Sequence, residues 1–347
     1  MDPVSFLAEL VSIPSPSGEE DAVAEHLTRR MKALGFQAHR DGVGNVVGTI
    51  GDPEARREIV LLGHMDTVPG LIPVRRHGGR LYGRGAVDAK GPLAAFVLAA
   101  ARAAPGLQQT RARVIGAVGE ETDSRGARHL AGTMRPPSWA IIGEPSGWEG
   151  ITLGYKGVLT VNYRQVQPAG HSANGRPGSA EQAVCFWNQL RACADERNGS
   201  RAGRFNTLDP ALLSFRTFGD GLNEGAEMRI AVRLPPGVDT AALKQNLQAW
   251  CDGARLSFPN SDPPFQAEKN TSAVRALLRA IRAEGGRPRF KLKTGTSDMN
   301  IVGPAWGCPI VAYGPGDSSL DHTPNEHIEI AEFRRSVGVL ARALQTL

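Results

Sequence analysis

The chain has 347 residues, of which 41% are hydrophobic and 22% are charged, so it is long enough to bury the cores of two domains. Its apolar runs are all shorter than the roughly 18 residues of a membrane span, and its start lacks the basic region and cleavage site of a secretion signal. The formal net charge is +5 without a nucleic-acid-binding motif, which leaves an ordinary solvated basic surface or a basic field that attracts an acidic substrate or partner.

The first half of the chain alternates helix-like and strand-like segments. The stretch after residue 14 places Ser17 and Glu20 at capping-box spacing before a helix, and apolar residues then recur at helical spacing. Strands are predicted at 45–50, 58–62, 111–118 and 139–143, and helices at 91–104 and 124–132. This alternation predicts an α/β layer fold with a largely parallel sheet.

The middle of the chain has a different order of elements. A strand at 158–167 and a helix at 179–195 precede strands at 211–218 and 227–234, a helix at 239–252 and a strand at 254–258. This βαββαβ order predicts a ferredoxin-like sandwich. The α/β pattern resumes afterwards, with a helix at 271–284, strands at 289–293 and 308–314, and a final amphipathic helix. We therefore expect a discontinuous α/β domain (1–155 and 263–347) with a second domain, 156–262, inserted in it.

Polar side chains follow the predicted strands of the α/β domain, or precede its helix at 91. Because the carboxyl ends of parallel strands meet at one edge of a sheet, we expect residues that are far apart in sequence to converge there. The residues concerned are His64 and Asp66 after "EIVLL", Asp88 in "GRGAVDAKGP", Glu120 and Glu121 after "RVIGAV", Glu144 after "WAIIG", and His322 in "SSLDHTPNEHI".

This set contains two histidines and several carboxylates, but neither a serine–histidine elbow nor a glycine-rich phosphate loop. Imidazole and carboxylate are the ligands of catalytic zinc, and the set is too large for one tetrahedral site with an open position. A carboxylate can bridge two ions about 3.5–4 Å apart, so a dinuclear metal hydrolase is the leading hypothesis. Each element also has a simpler explanation: the Glu120–Glu121 pair could complement a helix dipole, and Asp88 could be a helix N-cap.

At these residues the sequence resembles the M20 family of metallopeptidases and deacylases. The matching stretches, in the family's order, are "LLGHMDTVP", "YGRGAVDAKGPLAA", "GAVGEETDSRGARHL", "IIGEP", "GYKGVLTV", "AGHSA" and "SLDHTPNEHI". The resemblance implies a zinc-peptidase-like α/β catalytic domain and an inserted ferredoxin-like lid or dimerisation domain. It also implies two divalent metal ions per chain, with zinc preferred and cobalt or manganese as alternatives.

The resemblance assigns a role to each residue of the set. Asp88 would bridge the two ions, with a cis peptide bond after it. Asp66 would orient a histidine ligand, and Glu120 would be the general base. The remaining ligands would be His64 and Glu144 for one ion, and Glu121 and His322 for the other.

Three residues of the insert resemble the family's substrate-binding groups. His171, in "PAGHSA", resembles the histidine that reaches an active site across a dimer and stabilises the oxyanion. Asn223 and Arg233 fit the family's asparagine and carboxylate-binding arginine, although the segment between them is shortened here. Arg229 competes with Arg233 for the role of binding the substrate's α-carboxylate, and both arginines could instead belong to a solvated strand face.

Within the family, the C-terminal motifs and the short "RLPP" segment are most similar to a subgroup that acts on a protein-linked substrate. That subgroup releases lysine or ornithine from the γ-carboxyl of the C-terminal glutamate of a small acidic amino-group carrier protein, in lysine and arginine biosynthesis. The alternatives are an acetylornithine or acetyl-lysine deacetylase, a succinyl-diaminopimelate desuccinylase, an aminopeptidase, or a non-catalytic binding relative. We further expect a homodimer that forms through the insert, and a cytoplasmic location that agrees with four scattered cysteines.

Overall fold

The computed structural model describes residues 2–199 and 203–347, which form two compact units. The first unit contains the residues up to Gly154, together with Ala267–Leu292 and Ser297–Leu347. The second unit contains Tyr155–Gln266 and Lys293–Thr296.

The described residues include nine α-helices, and no helix among them is both long and apolar enough to cross a membrane. In chain order they are α1 (Pro3–Val11), α2 (Asp21–Ala33), α3 (Lys90–Ala103), α4 (Arg125–Thr133), α5 (Ser179–Asn198), α6 (Thr240–Trp250), α7 (Ser272–Ala283), α8 (Met299–Trp306) and α9 (Ile330–Leu344).

The strands of the described residues are assigned to three sheets. They are β1 (Gln37–Arg40), β2 (Val46–Gly51), β3 (Arg57–His64), β4 (Arg75–His77), β5 (Arg80–Tyr82), β6 (Thr110–Ala117), β7 (Trp139–Ile142), β8 (Gly150–Tyr155), β9 (Gly157–Pro168), β10 (Asp209–Gly219), β11 (Asn223–Leu234), β12 (Arg255–Ser257), β13 (Ser261–Asp262), β14 (Phe265–Gln266), β15 (Arg289–Lys293), β16 (Ile310–Ala312) and β17 (His327–Glu329).

The main sheet of the first unit runs in the order β1-β2-β6-β3-β7-β16-β8. Its centre is parallel, since β6 pairs with β3, β3 with β7, and β7 with β16 in parallel register. The strands outside this centre pair antiparallel, so the expectation of a largely parallel sheet is correct only for the four central strands. The run from Ile59 to Leu62 is fully buried, as expected for a strand with helices on both faces.

Helices α3 and α9 pack against each other in the first unit. Almost every residue of α3 is buried, as its apolar sequence predicts. The final helix, α9, is amphipathic as predicted. Four residues of its apolar stripe, Phe333, Val337, Leu340 and Leu344, are buried, and the fifth, Ile330, is partly buried.

The predicted capping box at Ser17 and Glu20 is wrong. Helix α2 begins at Asp21, and its N-cap Glu20 makes no side-chain capping bond. Instead, the Ser17 hydroxyl donates to Oδ2 of Asp66 at 2.6 Å, and the Glu20 carboxylate accepts from Arg125 and from the backbone N–H of Gly18. The hydrogen bond to a buried, charged carboxylate is a strong one, and it draws the Ser17 side chain into the polar cluster at the sheet edge.

The second unit has the predicted βαββαβ order, formed by β9, α5, β10, β11, α6 and β12. Its sheet runs β10-β11-β9-β12 with antiparallel neighbours, which is the strand order of a ferredoxin-like sandwich. Helix α5 packs on this sheet over a core that includes Val161, Phe186 and Ile230. Strand β10 is an edge strand and exposes the apolar side chains of Leu213 and Phe215.

Candidate active site

The parallel strands of the first unit deliver polar residues to one edge of the main sheet. Strand β3 ends at His64, and Glu120 follows the end of β6 by three residues. Glu144 follows the end of β7 and is 7% exposed. The cluster is therefore built at the carboxyl ends of neighbouring strands, where open α/β sheets form sites.

Asp88 lies between two imidazoles. Its Oδ1 is 3.2 Å from Nε2 of His64, and its Oδ2 is 3.1 Å from Nε2 of His322. The peptide bond between Asp88 and Ala89 is cis, as the family resemblance predicts. Each carboxylate oxygen thus faces a different histidine, which is the arrangement that a bridging ligand requires.

Glu121 completes a compact donor group. Its Oε1 lies 3.0 Å from Nε2 of His322, whose side chain is 50% exposed. Donor atoms of His64, Asp88 and Glu121 all lie within 4.8 Å of one another, close enough to hold a metal ion. The remaining predicted ligand, Glu144, is near enough to Glu120 for their charges to repel.

Asp66 organises the surroundings of these donors. The Nδ1 of His64 lies 3.0 Å from the backbone oxygen of Asp66 and 3.5 Å from its Oδ1. The two carboxylate oxygens of Asp66 also accept the backbone N–H groups of Glu120 and Glu121, at 3.1 and 3.0 Å. Together with Ser17, these bonds join three loops to one fully buried carboxylate.

Glu120 is placed beside His64 without a short bond to it. Its Oε2 lies 4.0 Å from Nε2 of His64. Burial raises the pKa of Glu120 well above its ordinary value, against the lowering effect of His64, and the charges of Glu144 and Asp298 raise the pKa further. A carboxyl group with a raised pKa can both take and return a proton near neutral pH.

Asp298 belongs to this cluster and was missed in the sequence. It is 2% exposed, and its Oδ1 has no hydrogen-bond partner among the described residues. Burial raises its pKa to about 7, against the lowering effect of His64, and the charge of Asp66 adds to the rise. The sheet-edge pattern does not mark it, because the strand before it, β15, pairs with β8 outside the parallel centre of the sheet.

Glu326 is a second residue that the sequence pattern did not indicate, and it holds the backbone at Asp88. Its Oε1 accepts the backbone N–H groups of Val87 and Asp88 at 2.9 and 3.1 Å, and its Oε2 pairs with Nη1 of Arg84 at 2.9 Å. Arg84 also donates to the backbone oxygens of Gly70 and Thr323. This buried ion pair therefore ties together the segments that carry Asp88 and His322.

The charge balance of the cluster fits divalent cations. Two imidazoles stand among six carboxylates, of which three are buried and three are partly buried: Asp66, Glu144 and Asp298, and Asp88, Glu120 and Glu121. So many negative charges repel one another at short range, and two imidazolium ions would not offset them. Imidazole and carboxylate are also suitable ligands for zinc, cobalt and manganese.

The carboxylates also raise the pKa values of the two histidines. Hydrogen bonds to the carboxylates of Asp88 and Glu121 raise the pKa of His322 to about 10. Burial opposes a charge on His64, but hydrogen bonds to Asp66 and Asp88 outweigh burial and hold its pKa well above the ordinary value. Protons therefore compete for the same nitrogen atoms that a metal ion would bind.

The predicted substrate-binding residues lie in the second unit. His171 is exposed, and its Nδ1 accepts from the backbone N–H of Ala173 at 3.1 Å. Asn223 begins strand β11 and bonds to Asp220. Arg233, on the same strand, is half-buried and donates from Nη1 to Oγ1 of Thr296 at 3.2 Å, whereas Arg229 is exposed. Their approach to the carboxylate cluster stays a prediction.

Comparison with known proteins identifies relatives along the whole chain. The model of peptidase family M20/M25/M40 matches residues 60–346. A relative from Deinococcus radiodurans, named LysW-lysine hydrolase, is 43% identical over 99% of this chain and 96% of its own. Another from Sulfurisphaera tokodaii, named LysW-lysine/LysW-ornithine hydrolase, is 31% identical over 99% of this chain and 94% of its own.

Solved structures show the same fold at lower sequence identity. The M20 family metallo-carboxypeptidase Sso-CP2 from Sulfolobus solfataricus superposes with a TM-score of 0.82 at 19% identity, and the match covers 99% of both chains. At this identity the likeness concerns the fold alone.

Proposed function

The chain belongs to peptidase family M20/M25/M40 and is an amide hydrolase, and from this premise we propose that its substrate is protein-linked. The enzyme cleaves the amide between the γ-carboxyl of the C-terminal glutamate of an acidic amino-group carrier protein and the α-amino group of lysine or ornithine. The observation that carries this proposal is the 43% identity, over 99% of the chain, to a relative named for LysW-linked lysine. The net charge of +5 supports an acidic partner.

The carboxylate cluster supplies the proposed metal ligands. Asp88 would be shared by two divalent ions, zinc being preferred. His64 and Glu144 would hold one ion, and Glu121 and His322 would hold the other. Such a metal pair, when bound, polarises the amide carbonyl and makes water more acidic. The placement of Asp88 between two imidazoles supports the bridging role.

Glu120 performs the proton transfers in this proposal. It accepts a proton from the attacking water and returns it to the leaving α-amino group. Its raised pKa and its position beside His64 suit a group that alternates between base and acid. Asp66 fixes the positions of the His64 ring and the Glu120 backbone through hydrogen bonds.

The second unit contributes substrate contacts and the dimer interface. Arg233 binds the α-carboxylate of the released amino acid, Asn223 assists in binding, and His171 stabilises the oxyanion across a homodimer. The half-buried position of Arg233 supports its preference over the exposed Arg229, because a partly desolvated guanidinium binds a carboxylate more strongly. The exposed apolar edge strand β10 supports dimerisation through this unit.

We place the reaction in lysine or arginine biosynthesis in the cytoplasm, where the four free cysteines would stay reduced. A side-by-side assay of four substrates tests the assignment: carrier-linked lysine, carrier-linked ornithine, acetyl-lysine and acetylornithine. Mass spectrometry of the carrier should show the loss of one lysine or ornithine. Turnover of an acetylated amino acid alone would replace the proposal with a small-molecule deacylase.

A further inference from the structure

A cavity of about 580 Å³ in the first unit lies beside the carboxylate cluster and has no part in the proposed chemistry. Its walls are the end of α1 with the loop that follows it, residues 11–19, and the loop at residues 67–74. Its lining is mostly apolar. The volume is within the range of about 300–1,000 Å³ that is usual for binding pockets.

The cavity is directly connected to the cluster. Thr67, which follows Asp66 in the chain, lines it and donates its backbone N–H to Ser15 at 2.9 Å. Arg84, also in the lining, pairs with Glu326, which holds the backbone of Asp88. Any chain that lies in the cavity therefore lies next to the loop that positions His64.

The cavity also contains a buried cation. Lys90 is 1% exposed and lines the cavity, and its Nζ donates to the backbone oxygen of Ile13 at 2.6 Å. The carboxylates of Glu326 and Asp66 lie near enough to favour the charged form of this lysine. The cavity thus combines mostly apolar walls with three charged residues, Glu19, Arg84 and Lys90.

The segment that forms one wall and continues beyond it is strongly basic. Residues 67–84 contain four arginines and no aspartate or glutamate. Arg75 is exposed, and its guanidinium stacks over the ring of Tyr82 at 4.1 Å. No carboxylate lies within ion-pair distance of Arg75 among the described residues. The other three arginines are paired within the chain: Arg76 with Asp2, Arg80 with Glu329 and Arg84 with Glu326. A stacked guanidinium keeps its N–H edge available for a carboxylate.

We propose that this cavity and the four-arginine segment 67–84 form the docking surface for the polypeptide of the acidic carrier. The residues that precede the cleaved glutamate lie over the 67–74 loop, an apolar side chain of the carrier enters the cavity, and carboxylates of the carrier contact Arg75. This inference rests on the proposed function, since it assumes a substrate that extends beyond the scissile amide. A free amino-acid derivative would not reach this surface.

Two substrates with the same scissile bond separate docking from chemistry. One is the carrier with lysine on its C-terminal glutamate, and the other is γ-glutamyl-lysine linked through the α-amino group. The wild-type enzyme should have a higher specificity constant for the carrier form. Arg75→Glu should lower that constant by about tenfold or more while it changes the constant for γ-glutamyl-lysine by less than about twofold.

Arg56→Glu is the matched control, because it makes the same charge change at an exposed position. Arg56 precedes β3, at the end of the strand opposite to His64, so this variant should behave as wild type. Ser12→Trp tests the cavity separately, since Ser12 is an exposed residue of its lining. The added ring should raise KM for the carrier form and leave γ-glutamyl-lysine unaffected.

The outcomes that contradict the proposal are distinct. Two results would overturn the docking surface and leave the proposed function intact. Arg75→Glu could keep the wild-type specificity constant for the carrier form, or it could lower the specificity constants for both substrates equally. An unchanged KM in Ser12→Trp would remove the cavity from the surface. Failure of the wild-type enzyme to release lysine from the carrier would overturn the proposed function and the docking surface together.

Discussion

Asp88 and His322 meet at 3.1 Å between Oδ2 and Nε2, although they belong to segments far apart in the chain. The other oxygen of Asp88 faces His64, so one carboxylate serves two imidazoles. Behind it, Glu326 accepts the backbone N–H of Asp88 and fixes the position of this carboxylate. This arrangement supports the proposed site for two metal ions.

Asp88 is expected to be necessary for both ions. Elemental analysis of gently purified protein should approach two divalent metals per chain, whereas Asp88→Ala should lose both the bridge and most of the metal. Asp21→Ala, at an exposed position on α2, is the control and should keep the full metal content. Fewer than one metal per chain in a fully active wild-type enzyme would refute the dinuclear site.

Glu120→Gln should separate catalysis from metal binding. The amide cannot exchange a proton as the carboxyl group does, so kcat should fall by roughly a thousandfold or more. Metal content and KM should change little, because Glu120 is proposed as a base and not as a ligand. Steady-state kinetics of Glu120→Gln, compared with those of the control variant Glu25→Gln at an exposed position on α2, test this expectation. Near-normal turnover would exclude the role.

The sequence was informative about the cluster because one rule applies to most of it. His64, Glu121 and Glu144 follow apolar runs that form parallel strands, and such strands end at one edge of a sheet. The rule does not extend to Asp298, because the strand before it, β15, pairs with β8 outside the parallel centre of the sheet.

Other features depend on contacts that no local pattern encodes. Ser17 has the spacing of a capping box, yet it bonds to Asp66, which is distant in sequence. Glu326 looks like a surface acid in its motif, and only the folded chain buries it against Arg84. Similarly, the antiparallel pairing at both sides of the main sheet follows from tertiary neighbours and not from the strand sequences.

Asp298 should make stability depend on pH. Its folded-state pKa of about 7 exceeds its ordinary value of 3.8, so between these values the folded chain keeps a proton that the unfolded chain has lost. This group's contribution to stability is therefore complete below about pH 4 and is lost as the pH rises towards 7.

The side chain of Asp298→Asn cannot titrate, so this variant should not lose stability through this group as the pH rises. With a chelator present, the free energy of unfolding of Asp298→Asn relative to wild type should increase from pH 4.5 to 7.5. The expected change is at most roughly 4 kcal/mol, from about 1.4 kcal/mol per pKa unit. Urea unfolding at four pH values measures it. A difference that stays constant with pH would show that Asp298 is already ionised in the folded chain.

Arg233 and Arg229 form a matched pair on strand β11. Arg233→Met should raise KM by about tenfold or more, because an oriented guanidinium–carboxylate contact is lost. The same substitution at the exposed Arg229 should change KM by less than about twofold. Circular dichroism checks that both variants fold. A larger effect at Arg229 would transfer the carboxylate-binding role to that residue.

The comparison of specificity constants for carrier-linked lysine and acetyl-lysine, at low and high salt, tests the central claim most directly. We predict a higher kcat/KM for the carrier form, with a clear decrease as salt rises, because attraction to a basic surface is screened over about 8 Å at physiological ionic strength. The value for acetyl-lysine should barely change, since its contacts are short-range. A higher kcat/KM for acetyl-lysine than for carrier-linked lysine would contradict the substrate assignment.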